Sequence, residues 1–289
     1  MIETAVIPVA GLGTRLVPVT SIVPKAAFPL VDASGRVRCV LHWILAEAVA
    51  AGVRRAVVVV SPGQRELLER YFAAAGEPGP AELPGEIAYV EQPTPEGFGD
   101  AVLLARPAVG EAPMLLLLGD HVRVPFPGAA PCAAEVSAAF AERGGAAMVG
   151  MQPVGPEELQ RVGVARGEPL GGGVYRCTDF IEKPDADTAR RRLRTPGLPP
   201  ERFLAHAGVY AFGSGLMDCL AELKASSGRS AGELQLADAQ RMLLDRRPDD
   251  YRLLRIAGRA LDTGTPEGFA RTVEAFRKGP ISSASDQAP

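Results

Sequence analysis

Residues 5–30 constrain this chain more than any other stretch. The apolar run 5–9 predicts a buried strand, which breaks into Gly11-Leu-Gly13-Thr14-Arg15. Glycines straight after a strand let backbone N–H groups close on an anion, because no side chain stands in the way. Arg15 adds a planar fork for phosphate oxygens, and Lys25 follows on an arm stiffened by Pro24 and Pro29. A flexible cradle, a forked cation and a second cation on a rigid arm suit a nucleoside triphosphate. Two common phosphate motifs are excluded. The dinucleotide pattern G-x-G-x-x-G would need a glycine where Leu16 stands, and the next predicted strand ends on Ser61 rather than on an acid. No G-x-x-x-x-G-K-[ST] occurs.

Beyond this stretch, strands and helices alternate. Strands are predicted over 56–60, 87–91, 114–118, 146–151, 174–181, 205–212 and 251–256. Helices are predicted over 40–51, 63–75 (opened by Pro62), 100–105, 133–141, 185–194, 213–223, from Glu233, and 266–276. This order predicts an α/β fold: a mainly parallel mixed sheet flanked by helices, Rossmann-like. Residues 1–277 read as one domain, with about 150–260 forming a subdomain on the same sheet. Loops are expected over 76–84 and 226–231, the second flexible, and disorder over 278–289.

Composition removes several function classes. A chain of 289 residues with 47% hydrophobic residues can bury a large core. A net charge of −3 suggests neither a nucleic-acid nor a membrane-surface partner. No apolar run approaches the ~20 residues that span a bilayer. The first residues enter a strand with no signal peptide visible. Cys39, Cys132, Cys177 and Cys219 form no Cys-x-x-Cys, which points to free thiols in a reducing cytoplasm and away from a cysteine metal site. Lysine supplies only four of the 31 basic residues: Lys25, Lys183, Lys224 and Lys278. Arginine is the default cation here, so a retained lysine marks a place where a compact charge is wanted.

Further candidates stand at strand ends. Gln92 follows the strand 87–91, and its amide can both donate and accept, as the edge of a pyrimidine requires. Gly97 would let the backbone approach a base. Asp120 follows the most apolar strand, 114–118, in the position where α/β sheets bind ligands, and a carboxylate there can share a hard cation with phosphate oxygens. A turn aspartate is the plainer alternative. His121 comes next, with no partner that would make it a base.

Ala10-Gly-Leu-Gly-Thr-Arg-Leu-x-Pro-x-Thr, followed by Pro24-Lys25 and Pro29, resembles the signature of sugar-1-phosphate nucleotidylyltransferases, and most of all the bacterial UTP–glucose-1-phosphate uridylyltransferases. Later elements extend the resemblance to about residue 277: Gln92 with Gly97, Gly119-Asp120, Gly163-Val164, Glu182-Lys183-Pro184, and Leu261-Asp262-Thr-Gly-Thr265. The resemblance implies transfer of a nucleotidyl group from UTP to glucose 1-phosphate, with release of pyrophosphate. It implies that Ala10, Gly11, Gly13, Thr14, Gln92 and Gly97 bind the nucleotide, and that Arg15 and Lys25 are catalytic. It assigns the sugar phosphate to Gly163, Glu182, Lys183 and Gly208, and Mg2+ to Asp120 and Asp262. Glu233 is a further candidate for substrate contact.

Three positions depart from the uridylyltransferases. Ala26 stands where they have glutamate, Val162 where they have tyrosine, and Arg38-Cys39 where they have Lys-Pro. These leave the sugar open. A thymidylyltransferase-like enzyme is the alternative within the family, because Gln92-Pro-Thr-Pro and Leu261-Asp-Thr-Gly-Thr lean that way. A non-catalytic regulatory relative would be expected to lose its charged residues first, yet Arg15, Lys25, Asp120, Lys183 and Asp262 are all present. A homo-oligomer is left open.

Overall fold

The computed structural model describes residues 1–75, 82–226 and 232–279. In chain order the strands are β1 (Thr4–Pro8), β2 (Pro29–Val31), β3 (Val37–Cys39), β4 (Arg55–Val60), β5 (Glu86–Glu91), β6 (Met114–Leu117), β7 (His121–Pro125), β8 (Ala147–Val154), β9 (Gly163–Gly171), β10 (Val174–Glu182), β11 (Phe203–Phe212), β12 (Tyr251–Arg255) and β13 (Gly258–Asp262). The helices are α1 (Val40–Ala50), α2 (Gln64–Ala74), α3 (Phe98–Leu104), α4 (Arg106–Val109), α5 (Cys132–Arg143), α6 (Ala186–Arg192), α7 (Gly215–Ser226), α8 (Leu236–Arg246) and α9 (Pro266–Lys278).

Among the described residues, nine strands form one mixed sheet in the order β5-β4-β1-β6-β11-β8-β12-β10-β9. Its first half, β5-β4-β1-β6, is parallel. β11 enters antiparallel between β6 and β8, and β12 returns parallel beside β8. Burial alternates along the central strands. Ala5 and Ile7 of β1 pack to one face and Val6 to the other; Val58 and Val60 of β4 oppose Val57 and Val59. Both faces are therefore apolar, as a sheet covered on both sides requires. α1, α5 and partly buried residues of α2 and α9 cover one face, while α3, α7 and α8 cover the other. No described helix is long and apolar enough to cross a membrane.

Several local expectations shift. Pro62 does not begin a helix. Gly63 takes a left-handed conformation (φ 80°), and α2 starts at Gln64, whose side-chain Oε1 accepts from the Ser61 N–H at 3.0 Å. Glu233 is not in a first helical turn, because α8 begins at Leu236. The helix 266–276 runs on to Lys278, and Gly279 caps it, so two residues of the predicted tail are ordered. Residues 280–289 lie outside the described residues, as do 76–81 of the first predicted loop and 227–231 of the second; Ser226 closes α7.

The centre of the sheet positions everything that follows. β1 and β6 run side by side, so the glycine-rich loop and Asp120 leave the sheet at the same edge. Their ends come so close that a Cβ on Gly119 would stand 2.4 Å from the Pro8 carbonyl oxygen and 2.5 Å from Val9 Cγ1. Gly119→Ala is expected to lower unfolding stability by about 1–3 kcal/mol, since a packed backbone cannot yield as a side chain can. Urea denaturation of the two proteins measures this, and equal midpoints would contradict it.

Candidate active site

Two cavities open along the carboxyl edge of the sheet. One, of about 580 Å³, is lined by Arg15, Gln152, Glu157, Glu158, Arg161, Val162, Glu182, Lys183, His206, Arg259, Asp262 and Arg271, among others. The second, of about 420 Å³, is lined by Ala10, Gly11, Gln92, Pro95, Gly97, Phe98, Ala101, Gly119 and Glu233, among others. Gly13, Thr14, Lys25, Asp120 and His121 line both. Volumes of this size suit small organic ligands.

The shared wall is built from distant parts of the chain. Gly13 holds a left-handed conformation (φ 62°), and its carbonyl accepts the Thr20 hydroxyl at 2.8 Å, which folds the loop back on itself. Lys25 reaches Asp120 and donates to Oδ2 at 2.6 Å, while His121 Nδ1 lies 2.8 Å from Oδ1. Burial alone would push the Asp120 carboxyl upward. The hydrogen bonds and charges of His121 and Lys25 outweigh it and hold the carboxyl well below the usual carboxylate range.

Asp262 arrives by strand pairing. β13 runs antiparallel to β7, with Asp262 opposite His121. The buried Thr263 then fixes the turn, its N–H and hydroxyl both donating to the Asp120 carbonyl, at 2.8 and 2.9 Å. β7 itself is anchored from behind by Arg123, which donates to Glu47 of α1 at 2.6 Å and to the Gly208 carbonyl at 2.9 Å.

Ligand atoms of Asp120, His121 and Asp262 all lie within 4.8 Å of one another, which makes the three a possible divalent-metal site. The gap between the carboxylates is kept open by Gly264, where a Cβ would stand 3.0 Å from both Asp120 Oδ2 and Asp262 Oδ1. Two carboxylates and one imidazole around an open gap fit a divalent cation that also takes phosphate oxygens.

At the far end of the smaller cavity, Gln92 is only 6% exposed. Its amide nitrogen donates to the Gly97 carbonyl at 3.1 Å and to Asp100 Oδ2 at 2.8 Å. Gly97 has φ 111°, and a Cβ there would meet the Leu234 carbonyl oxygen at 2.4 Å, so this glycine answers first to the neighbouring chain segment. At the far end of the larger cavity, Glu182 and Lys183 sit side by side, with Lys183 Nζ 3.6 Å from Glu182 Oε1. Lys183 has φ 51°, an unfavourable backbone for a residue with a Cβ, and its N–H is held by the Val162 carbonyl at 3.1 Å.

Gly163 and Gly208 line neither cavity; they stand behind the walls. A Cβ on Gly163 would press on Glu182 Oε2 and His206 Nδ1, and one on Gly208 would meet His121 at 3.2 Å. Of the departures, Val162 faces the larger cavity, Ala26 is buried, and Arg38 pairs with Glu82 at 3.4 Å away from both cavities.

His206, Arg161, Arg259 and Arg271 are cavity residues that sequence reasoning did not single out. His206 alone left a trace, as a polar residue in the otherwise apolar strand β11.

A nine-stranded mixed sheet covered by helices on both faces, with two cavities that share a wall, makes this an α/β scaffold. A model of the nucleotidyl transferase family matches residues 4–279, and the chain belongs to that family. Among similar proteins, the UTP–glucose-1-phosphate uridylyltransferase YngB of Bacillus subtilis (strain 168) is 31% identical over 92% of this chain and 86% of its own length. A second Bacillus subtilis UTP–glucose-1-phosphate uridylyltransferase is 30% identical over 95% of this chain and 91% of its own. A UDP-glucose pyrophosphorylase crystallised with UDP-glucose superimposes with a TM-score of 0.78 at 25% identity, covering 96% of this chain and 99% of that one.

Burial pushes the His206 imidazole down to about 4, so it stays neutral in the folded protein while the unfolded chain protonates near 6.5. Between those values the unfolded state binds more protons, so stability falls as pH drops from about 6.5 to about 4. His206→Gln should flatten that loss by on the order of 1 kcal/mol, the ring being only partly covered. Chemical denaturation at pH 4.5 and 7 measures it; identical pH slopes would contradict it.

Proposed function

We propose that this chain transfers a uridylyl group from UTP to glucose 1-phosphate, giving UDP-glucose and pyrophosphate. The observation that carries this reading is the shared wall: Gly13, Thr14, Lys25, Asp120 and His121 border both cavities. A nucleotide in the smaller and a sugar phosphate in the larger would meet over Lys25 and Asp120, with Asp262 on the side of the larger. The names of the Bacillus subtilis relatives supply the two substrates.

In this reading the base lies against Gln92 and Gly97, and the phosphates against Ala10, Gly11, Gly13 and Thr14. Arg15 takes the departing pyrophosphate, and Lys25 leans toward the α-phosphate. Glu182 accepts sugar hydroxyls, and Lys183 draws in the sugar's phosphate. Gly163 and Gly208 shape the sugar side. Residues of about 150–260 form the sugar-binding part of a single 1–277 unit. An oxygen of the sugar phosphate attacks the α-phosphorus. The bond from that phosphorus to the oxygen bridging to the β-phosphate breaks, and pyrophosphate leaves with its electron pair. The attacking oxygen is already anionic at neutral pH, so no base is required.

Lys25 and Arg15 contribute by positioning and by neutralising charge as the bond shifts. Asp120 and Asp262, with His121 beside them, would hold magnesium, which when bound supplies a hard divalent charge for phosphate oxygens. The four cysteines are free and buried, which supports a cytoplasmic location.

Pyrophosphate release with glucose 1-phosphate and each of UTP, dTTP, CTP, ATP and GTP tests the reading. UTP should lead, and EDTA should abolish release until magnesium is returned. Absence of nucleotide binding across the panel would overturn the reading. Lys25→Ala should fold but lose about 100-fold or more in turnover, the scale of removing one donor aimed at a charged transition state. Turnover like that of the wild type would remove Lys25 from the mechanism.

A further inference from the structure

The amide of Gln92 is held in one orientation, and one of the two groups holding it, the Asp100 carboxylate, is not among the residues that line the cavity. Its two N–H bonds point at the Gly97 carbonyl and at Asp100 Oδ2. A carbonyl and a carboxylate only accept hydrogen bonds, so the side of the amide that faces them must be the NH2. The opposite side, Oε1, is then the group offered to the cavity that Gln92 lines. Asp100 is itself buried, 3% exposed, and its other oxygen takes Lys224 Nζ at 2.5 Å. Lys224 also reaches Glu96 at 3.3 Å. The hydrogen bond to Asp100 pushes the pKa of the Lys224 ammonium upward.

We propose that Asp100 and Lys224 are positioning residues that set the polarity of the Gln92 amide, and so select a base with an N–H at position 3 (uracil or thymine) over cytosine. This rests on the reading of the smaller cavity as the nucleotide site. Cytosine carries an acceptor where uracil carries that donor, so it needs the NH2 of an amide turned through half a rotation. With the ionised carboxylate in place, that rotation sets Oε1 against an oxygen anion in a buried pocket, and both lose their hydrogen bonds. A site that matches a substrate's hydrogen-bonding groups rejects the mismatched analogue in this way. Lys224 occupies the other carboxylate oxygen and so fixes the direction in which Oδ2 faces the amide. It is one of only four lysines in an arginine-rich chain, and the phosphate and sugar assignments account for just two of them.

The test compares UTP with CTP in the wild type, Asp100→Asn, Lys224→Met and Lys224→Arg. Equilibrium binding of each triphosphate is read beside kcat/KM for pyrophosphate release. Asp100→Asn supplies both a donor and an acceptor, so the preference for UTP should fall about 10-fold, the worth of one charged hydrogen bond. Lys224→Met, at a half-exposed position, should lower the preference in the same direction by a smaller factor, and Lys224→Arg should restore it. Unchanged UTP-to-CTP ratios in both Asp100→Asn and Lys224→Met, with only the melting temperature lowered, would overturn the proposal and leave the pair as a brace between α3 and α7. A wild type that binds UTP and CTP equally would overturn it as well. A wild type that binds UTP selectively yet transfers nothing to glucose 1-phosphate would instead count against the proposed reaction, with the binding ratios of the variants still deciding the role of Asp100.

Discussion

The site depends on one close approach. β1 and β6 lie side by side at the middle of the sheet, and Gly119 lets the chain leave β6 directly against the Pro8 carbonyl and Val9. Because parallel strands end at the same edge, the loop after β1 and the carboxylate after β6 emerge as neighbours. A side chain at position 119 would force the two ends apart, and the glycine-rich loop would lose its register with Asp120. The residues that line both cavities are arranged around that junction. Lys25 crosses it at 2.6 Å from Asp120, and Asp262 is brought to it by the pairing of β13 with β7.

The wall between the two cavities holds its charges in balance without any ligand. Lys25 and His121 each engage one oxygen of Asp120, and the Gly264 N–H donates to Asp262 Oδ1 at 2.6 Å. These contacts fix both carboxylates before a substrate arrives, so little reorganisation remains for the reaction itself. Lys183, in contrast, is half exposed and kept in a left-handed backbone at the outer end of the larger cavity. The paired charges sit where the two cavities join, and Lys183 sits half exposed on the wall of the larger one.

Most of the fold was legible. The alternation of apolar runs and helical periodicity gives the element order, and strands such as β4 and β6 are apolar on both faces because helices cover both sides. The strands β2, β3, β7, β9 and β13 were not read from the sequence, and several helix ends shift. Pro62 reads as a first helical residue, but Gly63 turns left-handed and a glutamine side chain caps the chain instead. The helix expected from Glu233 begins three residues later, which frees Glu233 to border the smaller cavity. Helix ends are set by local competition for a few hydrogen bonds, which apolar periodicity does not record.

The sequence by itself determined the glycine-rich loop, the lysine arm, and the strand ends on which Gln92, Asp120 and Glu182 stand, because glycines, prolines and apolar runs act over neighbouring residues. Only the tertiary structure decided which of them meet. Lys25 and Asp120 are separated by 95 residues, and Asp100 and Lys224 by 124. Neither Asp100 nor Lys224 carries a local mark of its role, since one reads as a helix-start acid and the other as a helix-end base. Their contact exists because α3 and α7 pack on the same face of the sheet. The orientation of an amide, the neutrality of His206 and the gap kept by Gly264 are all products of that packing. They depend on what lies across space, and a linear pattern fixes only what lies along the chain.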